Sequence, residues 1–148
     1  MSFVSNICIT FQSGEKMHEV KTANILANKG IVNDRYFKDK NDKETQITLI
    51  ESENVDYYNK LSGTNFLTTD FRRNIITKGI SLNQLVKKII QVGEVKMKVH
   101  RLCEPCLYLQ NLLKQKNLVK KLLNRGGLRC EVLNDGQISK FDKIKVLK

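Results

Sequence analysis

The sequence predicts a mainly β fold of the α+β class, a barrel or sandwich with a few peripheral helices. Most of its 148 residues fall into short segments that alternate apolar and polar residues or are rich in β-branched residues. Turn signals such as QSGEK, NKG, TKG and NDGQ separate these segments. Because the length suits one hydrophobic core and no linker or repeat interrupts the chain, we expect a single domain over residues 1–148.

Six segments are predicted to be strands, in chain order FVSNICITF, MHEVKTANIL, TQITLI, FRRNIIT, QVGEVKMKVH and DKIKVLK. The segment ESENVDYYNKLSG predicts a short helix, with Ser52 as the N-cap and Gly63 as the stop. The segment CLYLQNLLKQKNLVKKLLNRGG predicts one helix, or two helices with a break near Lys116 and Asn117. Its leucines are expected to contact the core.

The composition is strongly basic, with 26 Lys and Arg against 15 Asp and Glu and a net charge of +11. Such a charge favours anionic partners, whether nucleic acid, a phosphorylated cofactor or an acidic protein, although lysines spread along a chain also form an ordinary solvated surface. The sequence has no apolar run long enough to span a membrane, and its first residues lack the features of a secretory signal. We therefore expect a cytoplasmic protein with reduced thiols and no membrane partner.

The stretch HRLCEPCLYLQ carries the strongest chemical signal, because Cys103 and Cys106 flank the only proline, Pro105. A structural zinc site needs four ligands, so His18, His100, Cys8 and Cys130 would have to supply the missing ones individually. A thioredoxin-like pair after a strand and at a helix start fits locally, but that fold needs a second proline facing the thiols. A purely structural pair is a third alternative.

The remaining interpretation is one working thiol. Proline is tolerated in the first turn of a helix, so Cys106 is expected at a helix start, where backbone N–H groups and the nearby Arg101 favour the thiolate. Cys8 and Cys130 lie in apolar strand-like segments and are predicted to be small structural residues.

Two basic clusters are candidates for an anion site. In NKGIVNDRYF, Arg35 can form a bidentate cradle for a carboxylate or phosphate, with Asp34 orienting it, or the two can form a structural pair. In TTDFRRNIIT, Arg72 and Arg73 would point to opposite faces of a strand, so only one is expected in a given pocket, with Asn74 as a polar contact.

Taken in order, these segments resemble the MOSC domain, the module named for the C-terminal part of molybdenum-cofactor sulfurases and found alone in small bacterial proteins. The resemblance lies in KGIVNDRYF, FRRNIITKGISLNQLV, IIQVGEVKMKV, CEPC and GLRCEVLNDGQISKFDKIKV. The sequence departs from the family pattern at three positions, where Asn33, Lys87 or Lys88, and Phe141 replace usual glycines. The resemblance implies a β-barrel fold with a few helices.

The resemblance also implies residue roles. Cys106 matches the family cysteine proposed to carry sulfane sulfur or to ligate molybdenum, and Cys103 matches only members with a paired motif. The family's cofactor or anion site would correspond to Asp34, Arg35, Arg73 and Asn74.

From this resemblance we expect a stand-alone protein that binds molybdenum cofactor (molybdopterin) or its precursor. As an enzyme it would be a sulfur transferase or a molybdenum-dependent reductase of N-hydroxylated compounds. The chain has no room for a pyridoxal-phosphate domain or an electron-transfer module, so a cysteine desulfurase or other sulfur donor, a molybdoenzyme or an electron-transfer protein would be its partner. The alternative is a basic module that binds RNA or another polyanion without thiol chemistry. It is less favoured, because no basic strand surface interleaved with aromatic residues appears.

Overall fold

The computed structural model describes residues 1–148, which form eleven strands, three α-helices and two 3₁₀ turns. The strands are β1 (Phe3–Ile9), β2 (His18–Val20), β3 (Thr22–Leu26), β4 (Gly30–Ile31), β5 (Ile47–Glu51), β6 (Ile75–Lys78), β7 (Ile89–Val92), β8 (Val95–Leu102), β9 (Leu128–Val132), β10 (Gly136–Ser139) and β11 (Ile144–Val146). The helices are α1 (Ser52–Ser62), α2 (Leu107–Leu112) and α3 (Leu118–Lys121), and the 3₁₀ turns span Thr68–Phe71 and Leu82–Leu85.

Eight strands form one sheet in the order β11-β7-β8-β9-β5-β6-β1-β2, and β10, β3 and β4 form a smaller sheet. All pairs of the large sheet are antiparallel except β5 and β6, which run parallel with α1 between them in the chain. The sheet curls until its ends meet: Phe3 pairs with Lys143, and the Val4 amide donates to the Asp142 carbonyl oxygen at 2.8 Å. The predicted mainly β, barrel-like fold with peripheral helices is therefore confirmed.

Buried apolar residues form two separate clusters, one inside the curled sheet and one between the sheet and the helices. The inner cluster contains 21 buried residues, among them Ile7, Leu49 and Met97. The outer cluster contains 10, and its aromatic centre is Tyr58 and Phe71, whose rings meet edge to face 5.8 Å apart. Strands at the junction bury both faces, which explains the nearly continuous apolar character of ITLI in β5.

Several predicted strands are shorter than the sequence indicates. QVGEVKMKVH contains a turn: Gly93 adopts a positive φ of 58° and joins β7 to β8. MHEVKTANIL divides at Lys21 between the two sheets. In FRRNIIT only Ile75–Lys78 is a strand, because the first half follows a 3₁₀ turn and Arg72 adopts a left-handed conformation.

The predicted helices are present. Helix α1 ends at Gly63 as expected, but its N-cap is Glu51 rather than Ser52. The second helical segment forms two short helices, α2 and α3, and the second begins after Asn117, whose φ of 61° interrupts the helix. Leu109, Leu118 and Leu122 of this segment are buried, whereas Leu107, Leu112 and Leu123 are exposed. No helix is both long and apolar enough to cross a membrane.

The three departures from the resembled glycine pattern all lie in left-handed backbone. The φ angles are 72° at Asn33, 73° at Lys87 and 76° at Phe141. Glycine adopts such angles without a steric cost, whereas residues with a Cβ atom do not. The left-handed turn is thus retained at each position although a larger side chain replaces glycine. Of Lys87 and Lys88, only Lys87 has the left-handed conformation and so occupies the position of the usual glycine.

Candidate functional site

The two cysteines of CEPC lie on the turn between β8 and α2, and they differ in their exposure to solvent. Cys103 is buried, and its amide donates to the carbonyl oxygen of Gly127 at 2.7 Å. Cys106 is the N-cap of α2 and is exposed. The predicted position of Cys106 at a helix start is therefore observed, but no backbone N–H of the helix bonds its sulfur. Cys106 is the solvent-accessible thiol of the pair.

The buried side chain of Arg73 forms hydrogen bonds with the backbone of this turn. Its guanidinium donates from Nε to the Gly126 carbonyl oxygen at 2.8 Å. Nη2 donates to the carbonyl oxygens of Cys103 at 3.3 Å and Glu104 at 3.4 Å, and Nη1 donates to that of Phe71 at 3.4 Å. Four of its five N–H groups are thus used on backbone carbonyls, while its positive charge has no carboxylate partner.

Gly126 lies directly against the same turn. A Cβ atom at this position would collide with the carbonyl oxygen of Cys103 and would lie 3.0 Å from the Pro105 ring. Only glycine leaves room for this close approach of two backbone segments.

A cleft of about 420 Å³ opens beside the turn. We call it the Cys106 cleft. Both cysteines of the motif line it, together with four arginines from distant parts of the chain, namely Arg35, Arg72, Arg73 and Arg129. Tyr36 and Tyr108 add aromatic surface, and Glu104 is the only acidic residue in the lining. The cleft is therefore strongly electropositive.

Arg35 is braced on three sides. Its Nη1 donates to Asp34 Oδ1 at 3.3 Å and to Met17 Sδ at 3.2 Å, and its Nη2 donates to the Arg72 carbonyl oxygen at 3.0 Å. The guanidinium also lies 4.2 Å from the centroid of the Tyr36 ring. Arg35 therefore fixes the Arg72 backbone as well as contributing charge to the cleft.

Arg72 keeps most of its hydrogen-bonding capacity. One N–H, on Nη1, donates to the Glu15 carbonyl oxygen at 2.7 Å, and no carboxylate forms an ion pair with the group. Burial, and then the charge of Arg35, lower the pKa of Arg72 from its usual value. Burial is the larger cause, and the nearby Arg35 adds a second positive charge beside the Arg72 guanidinium.

Arg129 lies on β9, opposite Thr48 of β5, and both line the cleft. Its Nη1 donates to the Glu44 carbonyl oxygen at 3.2 Å, and it forms no ion pair. Because Leu128 and Cys130 on either side are buried, strand alternation turns Arg129 toward the cleft. Arg72 and Arg129 are consequently the cleft arginines with the most unused N–H donors.

Asp34 and Asn74 lie behind the lining rather than in it. The Asp34 side chain is fully buried and accepts from the Thr10 and Tyr36 amides as well as from Arg35. Asn74 is also fully buried, and its Oδ1 accepts from the amide and the hydroxyl of Thr48, both at 3.1 Å. Both are placed to position the residues that reach the cleft.

The other cysteines, the histidines and Arg101 lie elsewhere. Cys8 and Cys130 are buried in the two core clusters; burial raises the pKa of Cys8 to about 12, and burial with the nearby Cys103 also raises the pKa of Cys130. His100 bonds Glu131 at 2.8 Å. Arg101 pairs with Glu44 at a separate cleft, so the expectation that it would act on Cys106 is not met.

Sequence reasoning missed two arginines of the cleft. It assigned Arg72 and Arg73 to opposite strand faces, but the left-handed φ of 62° at Arg72 brings both into one lining. It did not consider Arg129, although the alternation of GLRCEVL around buried Leu128 and Cys130 was a usable signal. Tyr108 of α2 was missed as well.

The arrangement offers one exposed thiol beside a concentration of guanidinium groups. No group of three or more His, Cys, Asp or Glu side chains converges to hold a metal ion. The chain by itself therefore offers one exposed thiol in an arginine-lined cleft, and not a closed metal centre.

Comparisons with known proteins agree with this architecture. The chain superposes on the crystal structure of the YuaD protein from Bacillus subtilis with a TM-score of 0.83 and 16% identity, covering 99% of this chain and 96% of that one. It superposes on YiiM from Geobacillus stearothermophilus with a TM-score of 0.82, 16% identity and coverage of 100% and 76%. For YiiM from Escherichia coli the values are 0.75, 18%, 100% and 70%. No curated protein sequence matches the chain.

At these identities the superpositions show a shared fold. The sequence itself matches the MOSC domain family over residues 22–145. This match spans most of the 148 residues and includes both basic clusters and the CEPC turn. The chain belongs to the MOSC domain family.

Proposed function

We propose that this protein binds molybdenum cofactor or its precursor in the Cys106 cleft and uses Cys106 as a sulfur carrier or as a molybdenum ligand. The observation that carries the proposal is the exposed Cys106 thiol on the wall of a cleft that also contains four arginines. A thiol and a phosphate cradle in one cleft suit a ligand that has both a sulfur or metal centre and a phosphate. Membership of the MOSC family supports the choice of this cofactor.

The residues present fit such a cofactor better than a free metal ion. Because no cluster of three ligating side chains exists, a metal held here would have to arrive with most of its ligands and take one more from the chain. Cys106 is the available soft ligand, and Arg129 has unused donors for a phosphate. The cleft volume of about 420 Å³ lies within the range usual for small-molecule sites. When bound, the cofactor would supply a redox-active metal centre.

Sulfur carriage would use the thiolate of Cys106 as a nucleophile. The thiolate attacks the terminal sulfur of a donor persulfide; the donor S–S bond breaks, the donor leaves as a thiolate, and Cys106 becomes a persulfide without any external oxidant. The arginines that line the same cleft supply positive charge for an anionic sulfur donor or acceptor. Cys103 is adjacent in the same lining and is placed to assist or to resolve the persulfide, although it is buried.

The proposed sulfur and cofactor chemistry implies partner proteins. A cysteine desulfurase or another sulfur donor would load Cys106, and a molybdoenzyme would accept the sulfur or the cofactor. In the enzyme version of the proposal, the protein is a sulfur transferase, or it reduces N-hydroxylated compounds with electrons from a separate electron-transfer protein. No pyridoxal-phosphate site is proposed within this chain.

The decisive experiment is mass spectrometry and metal analysis of protein purified from a molybdenum-replete host that makes the cofactor. Wild type is expected to carry a persulfide on the peptide containing Cys106, or bound molybdopterin, and Cys106→Ala is expected to lose it. Cys103→Ala is the matched control, because it removes the buried thiol of the pair and keeps the exposed one.

A basic polyanion-binding module is the alternative, supported by the net charge of +11. Fluorescence anisotropy with a single-stranded RNA oligonucleotide distinguishes it, because polyanion binding would weaken steeply with salt and survive Cys106→Ala. Absence of both persulfide and molybdopterin, together with RNA binding that ignores Cys106, would overturn the cofactor proposal.

A further inference from the structure

A second cleft adjoins the Cys106 cleft and shares part of its wall. It has a volume of about 320 Å³ and is lined by Met17, Leu112 and Leu113 together with polar residues that include Lys16 and Asp70. We call it the Leu112 cleft. Gly14 and Arg72 line both clefts, so Arg72 stands at their junction.

Helix α2 runs along both clefts with one continuous face. Tyr108 and Leu109 line the Cys106 cleft, and Leu112 and Leu113, four residues further on, line the Leu112 cleft. Residues four apart lie on the same side of a helix, about 6 Å along its axis. The two clefts are therefore consecutive parts of one groove beside α2.

The two parts of the groove differ in chemistry. The Cys106 part is dominated by guanidinium groups. The Leu112 part has apolar surface from Met17, Leu112 and Leu113, and its polar lining includes one acidic residue, Asp70. Leu112 is 46% exposed although it is apolar, and Arg72 at the junction uses only one of its N–H groups. An apolar surface next to unsatisfied cationic donors complements a ligand that is apolar at one end and anionic at the other.

We propose that the Leu112 cleft binds the ring or hydrocarbon part of an organic oxyanion whose anionic end lies at Arg72 in the Cys106 cleft. This deepens the proposed function by naming a substrate class, and it rests on that function only in taking the Cys106 cleft as the binding site. Lys16, which forms no ion pair, adds positive charge at the open side of the groove.

Isothermal titration calorimetry with two probes, phenyl phosphate and inorganic phosphate, tests the proposal on the purified full chain. Wild type is expected to bind phenyl phosphate about tenfold more tightly than inorganic phosphate, because the ring is removed from water in the Leu112 cleft. In Leu112→Asn the ratio of the two affinities is expected to fall to about twofold. Arg72→Gln is expected to weaken both probes.

Leu123→Asn is the matched control, since Leu123 is also an exposed leucine near the end of a short helix but lines neither of the two clefts. It is expected to keep the wild-type ratio. Equal affinities for the two probes in wild type, or a wild-type ratio in Leu112→Asn, would overturn the inference. The calorimetry is independent of the persulfide and molybdopterin measurements. Failure of this inference can therefore be distinguished from failure of the cofactor proposal.

Discussion

The guanidinium of Arg73 donates a hydrogen bond to the carbonyl oxygen of Cys103 at 3.3 Å. With its other bonds to the carbonyls of Glu104, Gly126 and Phe71, it ties the CEPC turn to the segments on either side. Although Arg73 lines the Cys106 cleft, most of its donors are used within the protein. Its main effect on any ligand is therefore to position the Cys106 turn and to supply charge.

Arg73→Gln is expected to lower the free energy of unfolding by about 3 kcal/mol, because several buried carbonyl groups lose a charged donor. It is also expected to change the alkylation rate of Cys106 by iodoacetamide, because the turn is no longer held. Arg129→Gln is the control, since Arg129 lines the same cleft with a single hydrogen bond, and its loss should cost less than about 1 kcal/mol. Urea unfolding measures both; equal losses would contradict the positioning role.

Asn74→Ala is expected to destabilise the protein by about 2–4 kcal/mol. Asn74 accepts from the amide and hydroxyl of Thr48 and donates to the Cys8 carbonyl oxygen at 3.2 Å, and alanine removes these three buried hydrogen bonds. The Thr48 hydroxyl keeps one partner, the backbone amide of residue 74. Thermal and urea unfolding measure the loss. Asn83→Ala, which removes an exposed amide bonded to the Asn124 carbonyl oxygen, should change stability by no more than about 0.5 kcal/mol.

Cys106 is expected to be the only thiol alkylated rapidly in the native protein. The other three cysteines are buried, and burial also raises the pKa of Cys8 and Cys130, so little reactive thiolate forms there. Mass spectrometry after brief iodoacetamide treatment should show one label, on the peptide with Cys106, and four labels after unfolding in guanidinium. Rapid native labelling of Cys103 would show that the CEPC turn opens.

The protein is expected to lose stability at alkaline pH. Because folding raises the pKa of Cys8 from 9.0 to about 12, its thiol contributes fully below pH 9, and that contribution is lost as the pH rises toward 12. The loss for this group is about 1.4 kcal/mol per pH unit. In Cys8→Ala the decline in unfolding free energy between pH 9 and pH 11 should be shallower by that amount, while below pH 8 the two slopes should agree.

Lys87→Gly is expected to stabilise the protein by about 0.5–1 kcal/mol. The backbone at Lys87 is left-handed, with a φ of 73°, and glycine removes the steric cost of the Cβ atom while losing some entropy on folding. Lys88→Gly is the control: it removes the same charge from the next residue, which has no positive φ, and should destabilise. Thermal unfolding of both variants gives the comparison.

The fold was largely predictable because its signals are local. Neighbouring residues carry the signals for the alternating strand β8, the apolar and β-branched strands β1 and β5, the helix stop at Gly63 and the helix break at Asn117. The errors arose where tertiary context decides. The separation of MHEVKTANIL between two sheets and the pairing of β10 with β3 depend on segments more than one hundred residues apart, such as Ser139 opposite Thr22.

The candidate site was predictable only in part for the same reason. The motifs identified Cys106, Arg35 and Arg73 as residues that now share one cleft. Asp34 and Asn74 were predicted to line the same site, but both side chains are buried behind the lining. Asp34 positions Arg35, and Asn74 positions Thr48. Arg72 depended on a single left-handed φ angle, which no local pattern in the sequence indicates. For Arg129 the alternation of GLRCEVL indicates which face of the strand it occupies, but its place opposite Thr48 depends on the register between β9 and β5.

The close packing of Gly126 against Cys103 and Pro105 has a consequence for binding. Gly126 leaves no free space on one side of the turn, and Arg73 bonds the carbonyl oxygens of Cys103 and Glu104. The turn is therefore already ordered before a ligand binds. The entropy of ordering the Cys106 loop is therefore lost during folding and not during association, and a ligand bound through the sulfur gives up little more than its own freedom. Cys106 is an exposed sulfur on a turn whose backbone is ordered in advance and whose Cys103 and Pro105 are buried.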